Sequence, residues 1–148
     1  MNQPPHILVV EAPYYAHIAE LLRRGAERAL AAAGATHESV RVPGSFEIPA
    51  AIGLAARATD RFEGYVALGC VIRGETTHYD HICAESARGL QDLAVRDGLA
   101  IGYGILTCEN EAQALARAAP EGRDHAGAAV RACLAIMELK RRFAQAGG

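Results

Sequence analysis

The stretch GYVALGCVIRGETTHYDH, Gly64–His81, joins a continuous apolar run to a polar glycine turn and then to a helical pattern. The apolar part, Gly64–Ile72, has the length and composition of a strand buried on both faces, as in a parallel sheet. Thr77 and Asp80 have the spacing of a capping box, which predicts that the helix begins at His78. The turn N–H groups and the helix dipole then favour an anion beside a histidine, the side chain that exchanges protons near neutral pH.

The rest of the chain alternates between strand-like and helix-like segments. Three further strands are predicted at Ile7–Val10, His37–Val42 and Leu99–Thr107. Apolar residues at helical spacing fill the intervals between them. Because the strands are too apolar to have a wet face, the pattern predicts an α/β fold, a three-layer α/β/α sandwich with a four-stranded parallel sheet. At 148 residues, we expect a single domain that spans residues 1–148.

Charge and cysteine usage restrict the function classes. Fifteen basic residues are balanced by 17 acidic ones, so no basic face for nucleic acid is expected. The segment MNQPPH has no basic signal-peptide region, and no apolar run reaches transmembrane length, so we expect a cytoplasmic protein without a membrane partner. The four cysteines form no C-x-x-C pair, which favours buried thiols over a metal centre or disulfide framework.

In a parallel sheet, the loops after all strands open on the same edge. These loops hold Tyr14-Tyr15, Pro43–Glu47, Arg73–His78 and Thr107–Asn110. Aromatic rings, a carboxylate, an anion turn and a histidine would therefore converge on one crevice. Each has a structural alternative when taken singly, since tyrosines also pack on helices and acidic residues also satisfy helix dipoles.

A metal-dependent hydrolase is a second hypothesis for the same loop. His78 and His81 are three residues apart and share a helix face with Asp80 nearby. A third ligand at a fixed spacing is missing, which disfavours a metal site.

Three segments resemble the lumazine synthase family: VPGSFEIP (Val42–Pro49), ALGCVIRGETTHYDH (Ala67–His81) and GYGILTCENEAQA (Gly102–Ala114). The resemblance implies a flavodoxin-like fold and a transferase of riboflavin biosynthesis. The implied reaction condenses 5-amino-6-(D-ribitylamino)uracil with 3,4-dihydroxy-2-butanone 4-phosphate to give 6,7-dimethyl-8-ribityllumazine, the penultimate step. The family uses neither a metal nor an organic cofactor, so none is expected.

The resemblance also implies a role for each matching residue. His78 matches the acid–base histidine, while the backbone of Glu75 and Thr76 and the side chain of Arg117 match the phosphate site. The residues implied to bind the uracil and its ribityl chain are Tyr14, Ser45, Phe46, Glu47, Gly69, Cys70, Val71, Ile72 and Tyr103.

The chain departs from the family pattern at three places. The usual Arg-Phe-Asn loop reads Ala12–Tyr15, Tyr103 replaces a phenylalanine, and His125 stands where a lysine is usual. His125 is a further candidate for the phosphate site, although a neutral imidazole would supply no fixed charge. These departures motivate an alternative, a catalytically impaired paralogue that binds flavin or forms a shell. The retained His78 and Arg117 count against it.

Assembly is a further implication of the resemblance. We expect a homopentamer, with assembly into larger particles left open, and riboflavin synthase as a candidate downstream partner. Only five residues precede the first strand, and Pro4-Pro5 cannot join a ladder, so a bare pentamer is favoured over a shell. Each site is expected to be shared between adjacent subunits. One subunit would supply Tyr14, Phe46, Glu47 and His78, and the next would supply Tyr103, Arg117 and His125.

Overall fold

Strands and helices alternate along residues 3–147, the part of the chain that the computed structural model describes. The strands are β1 (His6–Glu11), β2 (Thr36–Arg41), β3 (Gly64–Ile72) and β4 (Ile101–Cys108). The α-helices are α1 (Ala16–Ala32), α2 (Ile48–Ala58), α3 (His78–Asp97), α4 (Glu111–Ala118) and α5 (His125–Gly147), and a short 3-10 turn, Ser45–Glu47, precedes α2. No helix among residues 3–147 is long and apolar enough to cross a membrane.

The four strands form one parallel sheet in the order β2-β1-β3-β4. Helices cover both faces, so the predicted three-layer α/β sandwich is confirmed, and the topology is consistent with a flavodoxin-like fold. The helix after β1 lies on one face of the sheet and the helix after β3 lies on the other, so the direction of the strand order reverses between these two strands. Such a switch point at the carboxyl edge is where open α/β sheets form a ligand crevice.

Two apolar cores lie on the two faces of the sheet. One core contains buried residues of α1, α4 and α5, such as Leu22, Ala118 and Val130. The other contains buried residues of α2 and α3, such as Ile52 and Leu90. Both cores share β3, whose first seven residues are all buried, as its continuous apolar sequence predicts.

Strand β2 differs from the prediction that no strand has a wet face. Five of its six residues are exposed, because β2 is an edge strand with little helix packed over it. Its side chains pair with their neighbours: Glu38 accepts from Arg61 Nε at 2.9 Å and contacts His6 Nε2 at 2.8 Å. The hydrogen bonds from Arg61, and then from His6, lower the pKa of Glu38 to about 2.

Helix α3 begins at His78, as predicted, but the predicted capping box is absent. The Thr77 side chain accepts no hydrogen bond at the cap. The His78 N–H instead donates to Thr76 Oγ1 at 3.3 Å. The helix ends at Gly98, whose left-handed φ of 66° suits glycine.

Helix α5 packs closely on β4 because Gly102 has no side chain. A Cβ at this position would overlap the carbonyl oxygen of Ala129. We therefore expect Gly102→Ala to lower the free energy of unfolding by about 1–3 kcal/mol, since backbone must move to relieve the overlap. Urea unfolding measures the effect. Gly74→Ala is the control, because a Cβ there meets no atom within 4 Å; equal unfolding midpoints for the two variants would contradict the expected close packing.

Candidate active site

An open crevice of about 770 Å³ lies at the carboxyl edge of the sheet, at the switch point between β1 and β3. The loops after β1, β2 and β3 and the first turn of α3 form its walls. Nine of the predicted site residues line it: Tyr14, Ser45, Phe46, Glu47, Cys70, Val71, Ile72, Thr76 and His78. The sheet therefore brings most of the predicted site into one place.

Two tyrosines form the wall contributed by the loop after β1. The rings of Tyr14 and Tyr15 meet edge to face, with their centroids 4.9 Å apart and their planes at 80°. Tyr15 is half-buried against the apolar core, while 76% of Tyr14 is exposed. Tyr15 thus supports Tyr14, whose free ring face can stack on a planar ligand.

A buried carboxylate anchors the first two loops. Glu11, the last residue of β1, accepts from Arg23 Nη2 at 2.6 Å and from Arg23 Nε at 3.3 Å. Arg41 Nε, at the end of β2, lies 3.8 Å from the same carboxylate. The Glu11 carbonyl also accepts from the Val42 N–H at 2.9 Å. Since Glu11 is almost fully buried, these arginines offset the cost of removing its charge from water and fix the loops that follow.

The loop after β2 is held against β3 through Ser45 and Gly69. Ser45 is buried, and a Cβ on Gly69 would lie 2.5 Å from its Oγ. Gly69 therefore does not line the crevice but leaves room for the loop that does. This packing leaves the side chains of Phe46 and Glu47 exposed at the crevice wall, where Glu47 can accept hydrogen bonds from a polyhydroxyl chain.

The end of β3 forms the floor of the crevice. Cys70 is buried, while Val71 and Ile72 are partly exposed. Burial, with a smaller contribution from Cys108, raises the pKa of the Cys70 thiol to about 12. The thiol is therefore protonated at neutral pH and is a packing group rather than a nucleophile.

The turn after β3 exposes its backbone. Residues 73–77 are all exposed, and Gly74 has no atom within 4 Å of a Cβ built on it. Thr76 lines the crevice, whereas Glu75 does not. Free backbone N–H groups in such a turn, at the start of a long helix, suit an anion.

Two histidines on the first turn of α3 line the crevice. His78 and His81 are both exposed there and lie one helical turn apart. Among residues 3–147, no group of three or more potential metal ligands is assembled. His81 lies on the same helix face as His78, so geometry alone does not show which of the two would exchange protons with a ligand.

Besides Gly69 and Glu75, three further predicted site residues lie outside this crevice. Tyr103 is 46% exposed on the edge strand β4. Arg117, in the last turn of α4, donates from Nη1 to the Gln113 carbonyl at 3.1 Å. Burial, and then the charges of Arg117 and Arg123, lower the pKa of His125. The predicted site residues therefore comprise a group that lines the crevice and a second group, Tyr103, Arg117 and His125, that does not.

Several crevice residues were missing from the predicted site. They are Tyr15, Pro43, Gly44, Gly74, Tyr79, His81 and Ile82. Helical spacing could have found His81 and Ile82, which lie three and four residues after His78 and so share its face. Tyr15, Pro43, Gly44 and Gly74 lie in the loops that the strand pattern predicts to converge on one crevice, although no substrate role was assigned to them.

Comparison with known proteins gives a consistent result. The family described as 6,7-dimethyl-8-ribityllumazine synthase matches residues 4–141. A relative of that name from Sphingopyxis alaskensis is 54% identical over 138 residues, covering 93% of this chain and 96% of the relative. The 6,7-dimethyl-8-ribityllumazine synthase 1 of Rhizobium meliloti is 53% identical and covers 95% of each chain. The synthase of Agrobacterium fabrum is 50% identical, covering 94% of this chain and 97% of its own.

The neighbourhood of His125 leads to a prediction about its titration. We expect a pKa below the ordinary 6.5, and we expect Arg117→Gln to raise it because a repelling charge is removed. NMR titration of the imidazole measures both, with Arg88→Gln as a remote control. Between the folded and unfolded pKa values the unfolded chain binds more protons, so this group lowers stability as pH falls. An unchanged His125 pKa in Arg117→Gln would contradict the proximity of the two side chains.

Proposed function

The chain belongs to the 6,7-dimethyl-8-ribityllumazine synthase family, and we propose that its active site is the carboxyl-edge crevice, completed by a second copy of the chain. The enzyme is a transferase of riboflavin biosynthesis, and it condenses 5-amino-6-(D-ribitylamino)uracil with 3,4-dihydroxy-2-butanone 4-phosphate to give 6,7-dimethyl-8-ribityllumazine. Neither the comparisons nor the structure favours the impaired paralogue.

The observation that carries the shared-site proposal is the separation of the anion turn from Arg117. The residues that line the described crevice include the turn and His78 but no arginine or lysine. A phosphate bound only by backbone N–H groups would lack the cation that such sites commonly use. Arg117 belongs to the second group of site residues, outside the crevice. A neighbouring copy that places its Arg117 at this turn would supply the missing charge.

The proposed binding mode assigns each substrate to one part of the crevice. The uracil ring stacks on the exposed face of Tyr14, and its polar edges meet backbone groups of Cys70–Ile72. Ser45, Phe46 and Glu47 hold the ribityl chain, with Glu47 accepting from its hydroxyl groups. Tyr103 of an adjacent copy closes the ring site. These assignments are supported by the shared location of the residues at one edge of the sheet.

The phosphate of the second substrate is assigned to the turn. The N–H groups of Glu75 and Thr76 bind it together with the guanidinium of Arg117 from the adjacent copy, whose planar fork suits a phosphate. Burial and the charges of Arg117 and Arg123 lower the pKa of His125, and a bound phosphate dianion would favour its cation.

In the proposed mechanism, His78 moves protons while the crevice fixes geometry. The uracil amine attacks the ketone to form an imine with loss of water. Phosphate then leaves, the resulting enol tautomerises, and the second nitrogen closes the ring with loss of another water. These steps move protons and expel phosphate, and the family resemblance implies that they need no metal or organic cofactor. Holding the two substrates together in a reactive orientation can supply about 7–11 kcal/mol of the barrier reduction.

The proposal extends to assembly and location. A shared site requires at least a dimer, and a head-to-tail ring satisfies every copy equally. We propose a pentameric ring in the cytoplasm, with small molecules as substrates and riboflavin synthase as the enzyme that consumes the product. The single-domain organisation is part of the same proposal, because one sheet and its two cores account for residues 3–147.

The activity is tested directly by optical spectroscopy. The purified protein, incubated with both substrates, should produce the near-ultraviolet and visible absorption of the lumazine together with free phosphate. A chelator should leave the rate unchanged, which separates this reaction from a metal-dependent hydrolase. Correctly folded protein that forms no lumazine would overturn the proposed function.

Substitution of His78 tests how much the reaction depends on one proton shuttle. We expect His78→Ala to lower kcat by about 10- to 300-fold, because positioning outweighs general acid–base help. His81→Ala is the matched control, since His81 lines the same crevice one turn away, and its effect should be much smaller. A complete loss of activity in a folded His78→Ala variant would show that the histidine contributes more than the mechanism allows.

Subunit mixing tests whether the site is shared. Glu47→Ala and Arg117→Ala chains, each nearly inactive alone, are unfolded and refolded together in equal amounts. In a head-to-tail ring, about a quarter of interfaces pair an intact crevice with an intact Arg117, so activity should return to about a quarter of wild type. Mixing Glu47→Ala with His78→Ala is the control, and no gain is expected because both changes lie in the same crevice. Inactive co-assembled rings in the first mixture would contradict sharing.

A further inference from the structure

Arg73, the first residue after β3, makes contacts on both sides of the anion turn. Its Nε donates to the two Glu109 carboxylate oxygens at 2.9 and 3.1 Å, in the loop between β4 and α4. Its Nη1 lies 3.4 Å from Asp80 Oδ1, and its Cζ lies 4.4 Å from the centre of the Tyr79 ring, both in the first turn of α3. Its backbone N–H donates to the Cys108 carbonyl at 2.9 Å.

The turn between these contacts has few other restraints. Gly74 meets no neighbouring atom within 4 Å of a Cβ position, and residues 74–78 are all exposed. The His78 N–H makes a long bond of 3.3 Å to Thr76 Oγ1, and the Asp80 N–H donates to the Thr77 carbonyl at 3.0 Å. The contacts of Arg73 with Tyr79 and Asp80 therefore connect the start of the turn to the helix that follows it.

We propose that Arg73 is a positioning residue for the reaction, and this inference rests on the proposed function. Its side chain holds the N–H groups of Glu75 and Thr76 and the adjacent His78 in the arrangement that receives the phosphate and moves protons. Preorganised donors of this kind assist catalysis because they do not reorganise during the reaction. Arg73 acts through the turn and does not itself bind the phosphate.

The positive charge of Arg73 is balanced by neighbouring carboxylates. Glu109 and Asp80 carry two negative charges against its one positive charge. The guanidinium therefore adds no net attraction for an anion, and its contribution is geometric. Its Nε donates to Glu109 and its Nη1 lies near Asp80, while the face of the guanidinium lies on Tyr79, an arrangement that a lysine ammonium does not reproduce.

The contact with Glu109 also joins the turn to the second group of site residues. Glu109 lies just before α4, the helix that carries Arg117. Arg73 therefore fixes the chain's own phosphate turn relative to the arginine that it offers to the adjacent copy. A local contact of this kind would align both halves of a shared site.

Because the side chain of Arg73 is 41% exposed, its ion pairs contribute little to overall folding stability. This separates its functional role from a structural one. The chain offers a matched control in Arg88 of α3, which pairs with Glu85 at 2.8 Å and Asp92 at 2.9 Å but lies away from the turn.

The experiment compares steady-state kinetics of Arg73→Gln and Arg88→Gln. For Arg73→Gln we expect kcat/KM for 3,4-dihydroxy-2-butanone 4-phosphate to fall about tenfold, with lower kcat and higher KM, since misplaced groups lose much of the benefit of orientation. The KM for the uracil substrate and the urea midpoint should remain at the wild-type values. Arg88→Gln should match the wild type in kcat, in the KM for each substrate and in the urea midpoint. Arg73→Lys should recover only part of the kcat/KM that Arg73→Gln loses.

A double-mutant cycle with Glu109→Gln completes the test. If the pair acts as one unit, Arg73→Gln/Glu109→Gln should be no worse than either single variant, whereas independent effects would multiply. Equal kinetics for Arg73→Gln and Arg88→Gln would overturn the inference. A loss of kcat/KM for both substrates together with a lower urea midpoint would also overturn it. If Arg73→Gln does not fold, Glu109→Gln gives the same comparison with Arg88→Gln. Wild-type protein without activity would instead overturn the proposed function.

Discussion

The parallel hydrogen-bond ladder through β3 is the constraint on which the rest of the structure depends. β3 pairs with β1 on one side and with β4 on the other, and all three strands run in the same direction. The loops that follow the strands are therefore forced to one edge of the sheet. Because β1 and β3 carry the chain to opposite sides, the helices diverge there and leave the crevice open. The position of the site is thus a consequence of strand direction and order.

In the shared site that we propose, one chain holds two incomplete halves, and the same ladder assembles the first of them. Tyr14, Glu47 and His78 follow or flank the strands on either side of the switch point and meet in the crevice. Arg117 and His125 lie after β4 in the chain, on α4 and at the start of α5, outside that crevice. In the proposed head-to-tail ring, these residues of one copy would meet the crevice of another, so the assembly would become part of the catalytic geometry.

The sequence predicted the elements that follow a simple local pattern. It did not predict the features that depend on contacts with segments distant in the chain. The continuous apolar run of β3 was predicted because burial on both faces leaves a local pattern in the sequence. Helix α3 begins at His78 as predicted, although the capping box from which that start was predicted does not form. The solvent exposure of β2 was not predicted, because its position at the sheet edge follows from the strand order and not from its own residues. The contacts of Arg73 and Glu11 join distant segments, so no local pattern indicates them. The resemblance named the individual site residues, and the fold shows which of them one chain can bring together.

A crystal structure of the assembled enzyme with the uracil substrate and inorganic phosphate bound would test the central claim most directly. The account predicts that the phosphate contacts the N–H groups of Glu75 and Thr76 of one subunit and the guanidinium of Arg117 from the adjacent subunit. It also predicts the uracil ring on Tyr14 in the same crevice. A phosphate held by Arg117 and the turn of the same chain, or bound away from the crevice, would contradict the account.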